Sequence, residues 1–160
     1  MFNHAPPDYC CPFCLLVAGV ENEHVRSVQT DIVYRGSTVL AFIAAKQWPN
    51  NRGHVLVIPA AHFENLYDLP DALGADIHHV ARRVALAMKT AYGCAGVSTR
   101  QHNEPAGNQD VWHYHLHVFP RYPNDNLYKG GGGAYLPAPE RAEYARRLRA
   151  ALDAGDQCAT

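Results

Sequence analysis

The stretch WHYHLHVFPRY at residues 112–122 carries histidines at three alternate positions, 113, 115 and 117. An aromatic or aliphatic residue fills each gap between them. Because successive side chains of a β-strand point to opposite faces, this pattern predicts three imidazoles in a row, about 6.6–6.8 Å apart, on one face of a strand. Tyr114, Leu116 and Val118 would then face a hydrophobic core.

Three aligned imidazoles suggest chemistry at a phosphate. A neutral imidazole is a nucleophile, and a protonated imidazole is a hydrogen-bond donor and an acid near pH 7. A central histidine can therefore attack an α-phosphorus while its neighbours donate to the phosphate oxygens, which gives a covalent intermediate that water later breaks. The alternative is a solvent-exposed strand in which histidines alternate with apolar residues and have no function.

Composition limits the class of protein. The chain has 160 residues, of which 48% are hydrophobic and 18% charged, and this balance is typical of one globular domain over 1–160. A net charge of −1 gives no basic field, so we expect no nucleic-acid partner. No apolar run reaches the roughly 20 residues of a membrane span. The N-terminus lacks the pattern of a secretory signal, and we expect a cytoplasmic protein.

Hydrophobic periodicity predicts five strands and three helices. The strands are expected at 31–36, 37–44, 53–59, 94–103 and 110–120. The helices are expected at 11–19, at 71–91 and from 139 to about 152. Asp68 or Asp71 is predicted to cap the long helix, which would end at Gly93. Residues 46–53 read as a turn-rich loop, and four glycines at 130–133 predict that the loop over 121–137 is mobile.

The histidine strand resembles the His-x-His-x-His signature of the histidine triad (HIT) family. The run RGHVLVIPAAHFENLYDL at 52–69 is similar to the family's second signature block, and the whole resemblance covers about 10–123. It implies an α+β fold with a five-stranded antiparallel sheet, one long helix and short terminal helices. Residues 124–160 would add the glycine-rich loop and the C-terminal helix. Two protomers of this family usually join as a homodimer with a ten-stranded sheet.

The resemblance also implies roles for three histidines. His115 matches the nucleophile that takes up the nucleoside monophosphate, and His117 matches the histidine that contacts the phosphate. His54 matches a fourth histidine, which orients the nucleophile through its other ring nitrogen. Taken alone, His54 would be interpreted as a hydrogen-bonded strand residue.

The turn before the triad departs from the family pattern. Members commonly have Gly-Gln-Ser/Thr-Val there, whereas this chain has NQDV at 108–111. Gln109 can donate to a phosphate oxygen, and Asn103 is the expected upstream contact, with His102 as the competing choice. Asp110 stands in place of a hydroxyl. It would repel the phosphate, orient a histidine or water, accept from a leaving amine, or only cap the turn.

The nucleoside pocket is predicted on the segment AFIAAKQWPNNRGH, residues 41–54. The length from Phe42 to His54 matches the branch of the family that cleaves dinucleoside polyphosphates, and Lys46 occupies the position of that branch's ribose contact. Phe42, Ile43 and Trp48 are candidates for a purine slot, although aromatic residues at such spacing are more often core.

A zinc site is predicted from Cys11 and Cys14, whose spacing is half of a tetrahedral site. The resemblance to zinc-containing members implies His62 and His113 as the other ligands, which gives a closed, structural Zn²⁺ site. Redox activity of the cysteine pair is the alternative, although the chain lacks the βαβ pattern expected around it. Cys10 would replace Cys11 if the register differed.

The expected function is that of a hydrolase acting at the α-phosphate of a purine nucleotide conjugate. Dinucleoside polyphosphates and nucleoside phosphoramidates are the expected substrates, cleaved through a nucleotidyl-histidine. The alternatives are a nucleotidyltransferase or phosphorylase of the same family and a non-catalytic nucleotide-binding module.

Overall fold

A five-stranded antiparallel sheet forms the centre of the computed structural model, which describes residues 2–129 and 132–157. The strands are β1 (Ile32–Arg35), β2 (Val39–Ile43), β3 (Lys46–Gln47), β4 (Val55–Pro59), β5 (Gly96–Gln101), β6 (Leu116–Arg121) and β7 (Ala134–Tyr135). The order in the main sheet is β1-β2-β4-β6-β5, so β1 and β5 are its edges. The two short strands β3 and β7 pair with each other as a separate ribbon.

The helices are α1 (Pro12–Val17), α2 (Asp71–Tyr92) and α3 (Ala138–Gln157), with 3₁₀ turns at Gln29–Asp31 and Pro105–Gly107. Both faces of the sheet are covered, because every residue of β2 and β4 is buried. Alternate residues divide between two cores. One core joins Ala41, Val57 and Val118 to α2 and α3. The other joins Phe42 and Leu56 to α1.

The predicted α+β fold and its hairpin, third strand and long helix are confirmed. Two helix details differ. The residue at the start of α2 is Pro70, which makes no side-chain cap, so neither Asp68 nor Asp71 caps the helix. The C-terminal helix is not short, since α3 has 20 residues against 22 in α2. Gly93 ends α2 in a left-handed conformation, as predicted.

The histidine strand is shorter than the sequence predicts. Strand β6 begins at Leu116, so His113 and His115 lie before it. The chain turns there, because the amide of His113 donates to the carbonyl of Val111 (2.8 Å) and the amide of Tyr114 donates to the carbonyl of Phe63 (2.6 Å). Tyr114, Leu116 and Val118 still enter the core under α2, as expected.

The two expected loops contain regular structure. Lys46↔Tyr135 and Gln47↔Ala134 pair as the ribbon of β3 and β7. Gly133 lies so close that a Cβ there would be 2.9 Å from the carbonyl oxygen of Gln47. The predicted mobility of the glycine run falls partly on residues 130 and 131, which lie outside the described residues. Within the described ranges, each helix is too short or too polar to cross a membrane.

Candidate active site

A cavity of about 390 Å³ opens on the sheet face that carries α1. Its walls differ in character from one end to the other. The end next to α1 and β2 is mainly apolar and includes Pro12, Phe13, Leu16, Val25, Ala44 and Leu56. The end next to β5 is polar and includes Arg100, His102, Asn108 and Asp110. His115 and His117 line the cavity between these ends, which makes the pocket suitable for a molecule with an apolar and an anionic part.

The ring of His115 is fixed by the backbone next to it. Its Nδ1 atom is 2.7 Å from the carbonyl oxygen of His113, so Nδ1 carries the proton and donates. Burial lowers the pKa of His115, while the carbonyl of His113 and the carboxylate of Asp110 oppose this shift. The imidazole is therefore neutral at pH 7, and its Nε2 atom holds a free lone pair. This is the form of histidine that attacks an electrophile.

His117 and His54 form a pair with parallel rings beside His115. Nε2 of His54 is 3.0 Å from Nδ1 of His117, and their rings lie within 6° of parallel. Nδ1 of His54 lies 3.3 Å from the carbonyl oxygen of Lys46, to which it donates. His54 thus accepts from His117, and Nε2 of His117 is left for a ligand. The sequence predicted contact between His54 and the nucleophile, but the imidazole that His54 orients is that of His117.

Burial keeps the rings of His54 and His117 neutral. It lowers the pKa of His54 to about 3. Burial is also the largest cause of the strongly lowered pKa of His117, followed by the positive forms of His54 and His115. A bound phosphate would oppose this effect, because a nearby negative charge favours the imidazolium. The pair is therefore suited to take up a proton when an anion enters.

A tight turn holds His54 in place. Gly53 has φ of 90°, and a Cβ there would lie 2.5 Å from the ring of Tyr92. The buried side chain of Gln47 accepts from the amides of Gly53 and His54 at 3.0 Å each, and it donates to the carbonyl of Ala44. No sequence pattern indicates this role for Gln47, because a glutamine in a turn-rich segment is usually exposed.

The predicted metal ligands come together. Ligand atoms of Cys11, Cys14, His62 and His113 lie within 4.8 Å of one another. Nδ1 of His113 is 3.3 Å from Sγ of Cys11, and Nδ1 of His62 is 3.3 Å from Sγ of Cys14. His113 donates through Nε2 to the carbonyl of Pro59 at 3.0 Å, which leaves Nδ1 for a metal. His115 is not part of this group.

The donor set fits a zinc ion. Two thiolates and two imidazoles at tetrahedral spacing are a typical structural site for Zn²⁺. Burial, followed by the nearby Cys11, raises the pKa of Cys14 to about 12. A dication would reverse this shift, because it stabilises the thiolate. These four residues can therefore hold a metal.

Gln109 is engaged within the turn and does not point a free donor into the cavity. Its Oε1 accepts from the amide of Glu104 at 2.9 Å, and its Nε2 donates to the carbonyls of Glu64 (2.6 Å) and Val111 (3.0 Å). The amide is 5% exposed. In this arrangement Gln109 shapes the turn and has no N–H left for a phosphate oxygen.

Asn103 is likewise used for structure. Its Oδ1 accepts from the amide of Leu66 at 2.8 Å, and its Nδ2 donates to Gln101 at 2.8 Å. The cavity wall contains His102 instead, the competing choice from the sequence. Nδ1 of His102 is 2.5 Å from the carbonyl oxygen of Gly107.

Of the residues predicted for the nucleoside pocket, two are buried in the core and two line the cavity. Phe42 is fully buried against Phe13, with ring centroids 5.4 Å apart, and Ile43 belongs to the core on the other face. Lys46 and Trp48 do line the cavity. Of the three residues predicted for a purine slot, Trp48 is the one that lines the cavity.

Asp110 lies at the mouth of the cavity, with a side chain that is 74% exposed. Its Oδ1 is 3.8 Å from Nε2 of His115. Within 2–129 and 132–157, its carboxylate makes no hydrogen bond to a backbone amide, which does not favour a role as a turn cap. The carboxylate instead stands beside the free nitrogen of His115.

Arg100 was missed by the sequence analysis. It lies on β5 directly across from His117, and its guanidinium is 5.0 Å from the ring of Trp48 and 4.8 Å from the ring of Phe119. The signal was present, because Arg100 and His102 alternate within the predicted strand at 94–103 and would share one of its faces.

Comparison with known proteins agrees with this geometry. The family model described as HIT domain matches residues 25–124. The protein named Protein hit from Bacillus subtilis is 35% identical over 112 residues, which cover 70% of this chain and 71% of that protein. An adenosine 5′-monophosphoramidase from Saccharomyces cerevisiae is 31% identical over 114 residues, which cover 71% of this chain and 64% of that protein.

A solved structure resembles the chain along most of its length. The Zn-bound histidine triad family protein from Mycobacterium smegmatis superimposes with a TM-score of 0.76 at 31% identity. The match covers 93% of this chain and 97% of that one.

Proposed function

Because the chain belongs to the HIT domain family, whose members include nucleotide hydrolases, we propose that it cleaves purine nucleotide conjugates at the α-phosphate through a nucleotidyl-histidine at His115. One observation carries the proposal. The Nδ1 proton of His115 is held by the carbonyl of His113, so that a neutral ring presents its unprotonated Nε2 to the cavity. A ring ligated to metal or turned into the core would have no such lone pair.

The reaction has two displacements. Nε2 of His115 supplies its lone pair to the α-phosphorus, a P–N bond forms, and the leaving group departs with its electron pair and takes up a proton. Water then attacks the same phosphorus and loses a proton. The P–N bond breaks, its electron pair returns to His115, and the nucleoside monophosphate is released.

His117 and His54 act on the phosphate oxygens. Nε2 of His117 donates to a phosphate oxygen once the ring is protonated, and His54 accepts from Nδ1 of His117 through the 3.0 Å contact between their rings. We assign Gln109 and Asn103 to shaping the turn, since their amides are already hydrogen-bonded. Asp110 stands closest to the attacking nitrogen and is assigned to the selection of the leaving group.

The nucleoside would occupy the apolar end of the cavity. Phe13 and Leu16 of α1 and Ala44 offer a dry surface for a purine, with Trp48 and Lys46 at its edge. The yeast relative is a monophosphoramidase acting on an adenosine compound, which makes nucleoside phosphoramidates one candidate class. Dinucleoside polyphosphates are the other candidate class of substrate, and the phosphorus that would be attacked in them is likewise the α-phosphorus of a nucleotide.

We also propose that Cys11, Cys14, His62 and His113 hold a structural Zn²⁺. When bound, the metal would join the start of α1 to the segment before β6. His113 then serves twice, since its ring ligates and its carbonyl orients His115. The zinc-bound relative from Mycobacterium smegmatis supports this assignment.

Three further expectations stay predictions. Residues 1–160 are proposed to form one domain. A homodimer with a ten-stranded sheet is proposed, and the open edges β1 and β5 offer unpaired backbone for such an extension. The cytoplasmic location stays a prediction from the sequence.

Product analysis tests the function. The protein is incubated with adenosine 5′-phosphoramidate or diadenosine triphosphate, with and without inorganic phosphate, and the products are identified by mass spectrometry. Release of AMP in both conditions supports a hydrolase. A nucleotide product that has gained a phosphate from the buffer would show that the protein is a phosphorylase and not a hydrolase. No product from either compound, with tight AMP binding, would favour the non-catalytic module.

A further inference from the structure

A buried donor at the polar end of the cavity lacks an acceptor. The Nε atom of Arg100 is buried and makes no hydrogen bond to any of the described residues. The guanidinium is held only by stacking on Trp48 and Phe119, with its Cζ atom 5.0 and 4.8 Å from the two ring centroids. A buried charged donor without a partner is unfavourable by itself. The terminal nitrogens of Arg100 also make no hydrogen bond to the described residues, and the half-buried side chain lines the cavity. These nitrogens are therefore available to an anionic ligand.

The position of Arg100 on the sheet indicates which part of a bound nucleotide would lie next to it. The strands run β2, β4, β6, β5, and adjacent strands lie about 4.8 Å apart. Apolar walls cover the first two strands, and the histidines belong to β6 and the segment before it. Arg100 lies one strand beyond, directly across from His117. A nucleotide with its base over β2 and its α-phosphate at the histidines would extend its remaining groups over β5.

We propose that Arg100 binds the phosphate on the leaving-group side of the scissile bond, so that the preferred substrates are polyphosphate conjugates with an anionic leaving group. The inference rests on the proposed function, because it assumes that the α-phosphate meets His115. Arginine is suited to the role, since its planar guanidinium donates two parallel hydrogen bonds to a phosphate and stays charged at neutral pH. The stacked rings fix its plane before the ligand arrives.

The charges around Arg100 fit this assignment. Burial lowers the pKa of Arg100, and the nearby carboxylate of Asp110 opposes this shift. Arg100 therefore offsets the negative charge that would repel a polyphosphate. His102 lines the same end, with its ring centroid 5.6 Å from that of His117.

Binding measurements test the proposal without turnover. AMP and α,β-methylene-ADP, whose P–C–P bridge resists cleavage, are titrated calorimetrically into the wild type and Arg100→Met. We expect the affinity for the methylene analogue to fall by about tenfold or more and that for AMP by less than about twofold. Equal losses for both ligands, or no loss, would overturn the proposal. Arg146→Met, on the exposed side of α3 and paired only with Glu143, is the matched control.

A conservative variant covers the case in which Arg100→Met does not fold. Arg100→Lys keeps the charge but not the planar pair of donors. The affinity for the methylene analogue should therefore fall by about threefold relative to the affinity for AMP. An unchanged ratio of the two affinities would count against the proposal.

Turnover separates this inference from the proposed function. Diadenosine triphosphate has an anionic leaving group, whereas adenosine 5′-phosphoramidate releases ammonia. If Arg100→Met lowers kcat/KM for diadenosine triphosphate but not for adenosine 5′-phosphoramidate, the proposed function and the Arg100 site are both supported. If it lowers both equally, the function stands and the Arg100 site fails. If the wild type cleaves neither compound but the binding ratio changes as expected, the site stands and the function fails.

Discussion

The carbonyl oxygen of His113 lies 2.7 Å from Nδ1 of His115, while the ring of His113 belongs to the cluster of metal-ligating side chains. One residue therefore connects the candidate metal site to the candidate nucleophile. The order of the Cys/His cluster determines where the carbonyl points, and the carbonyl determines which nitrogen of His115 is free. Metal content and activity should consequently change together in some variants and separately in others.

Replacing the nucleophile should stop the reaction without disturbing the fold. His115→Ala is expected to lower kcat by about 10³-fold or more, because no other group in the cavity holds a free lone pair in its place. Zinc content and the circular dichroism spectrum should match those of the wild type. His78→Ala, an exposed histidine on α2, is the control. Turnover retained in His115→Ala would refute the assignment.

Two neighbouring cysteines should behave differently. Cys11→Ser is expected to lower both zinc content and Tm, since structural zinc contributes folding free energy of several kcal/mol and a loss of that size lowers Tm by about 10 °C. Cys10→Ser should leave both unchanged, because Cys10 is exposed and outside the cluster. Metal analysis and thermal melts of the two variants give the answer. The reverse pattern would mean that the ligand register is shifted by one residue.

The buried His54 should make the fold sensitive to acid. Its folded pKa is about 3 against 6.5 for the ordinary side chain, so the unfolded chain binds more protons between these values. Stability contributed by the neutral ring is therefore full above pH 6.5 and is lost as the pH falls towards 3. His54→Gln should show a shallower decline of Tm between pH 6.5 and 4 than the wild type. His78→Gln should retain the wild-type slope, and identical slopes in all three proteins would contradict the prediction.

The carboxylate of Asp110 should weaken binding of the α-phosphate. It lies 3.8 Å from the attacking nitrogen, so a phosphate bound there meets a negative charge. Asp110→Ser is expected to lower KM and to raise kcat/KM for poor amine or alcohol leaving groups, with the largest change at low salt. Asp110→Asn, which removes the charge but keeps the shape, should act in the same direction. A decline in both variants would instead assign the carboxylate a positive role.

The turn before His54 should tolerate no side chain at residue 53. Gly53→Ala combines a positive φ with a Cβ 2.5 Å from the ring of Tyr92, and we expect a loss of about 1–3 kcal/mol in the free energy of unfolding. Gly93→Ala has a positive φ but open space, so its smaller loss isolates the effect of the backbone. Denaturant titrations compare them. Equal losses would mean that Tyr92 moves aside and that contact with its ring does not define the turn.

Patterns along the chain predicted the parts of the fold that depend on periodicity. The strands β2 and β4 were expected from their hydrophobic runs and α2 from its helical spacing, and all three are found. The grouping of four candidate metal ligands was also expected, with Cys11 and Cys14 predicted from their spacing and His62 and His113 through the resemblance. By contrast, the start of β6 was missed, because the amide of Tyr114 bonds to Phe63, a partner 51 positions away that no local pattern reveals.

The errors at the site have one physical cause. A polar side chain next to a motif looks available in the sequence, yet Gln109 bonds to backbone groups around the turn, and Asn103 bonds to the amide of Leu66 and the side chain of Gln101. Whether an amide is free depends on partners that only the fold brings near. Arg100 shows the opposite error, because its alternation with His102 was visible and its contact with Trp48 was not.

The ribbon of β3 and β7 forms one wall of the proposed nucleotide pocket. Tyr135 is on its wall, the amide of Leu136 donates to the carbonyl of Ala45 at 3.0 Å, and Lys46 pairs with Tyr135. The family match ends at residue 124, so this wall is supplied by a segment outside the shared motif. Preference for one base over another can thus evolve in the C-terminal segment, while the imidazoles that would perform the chemistry stay as they are.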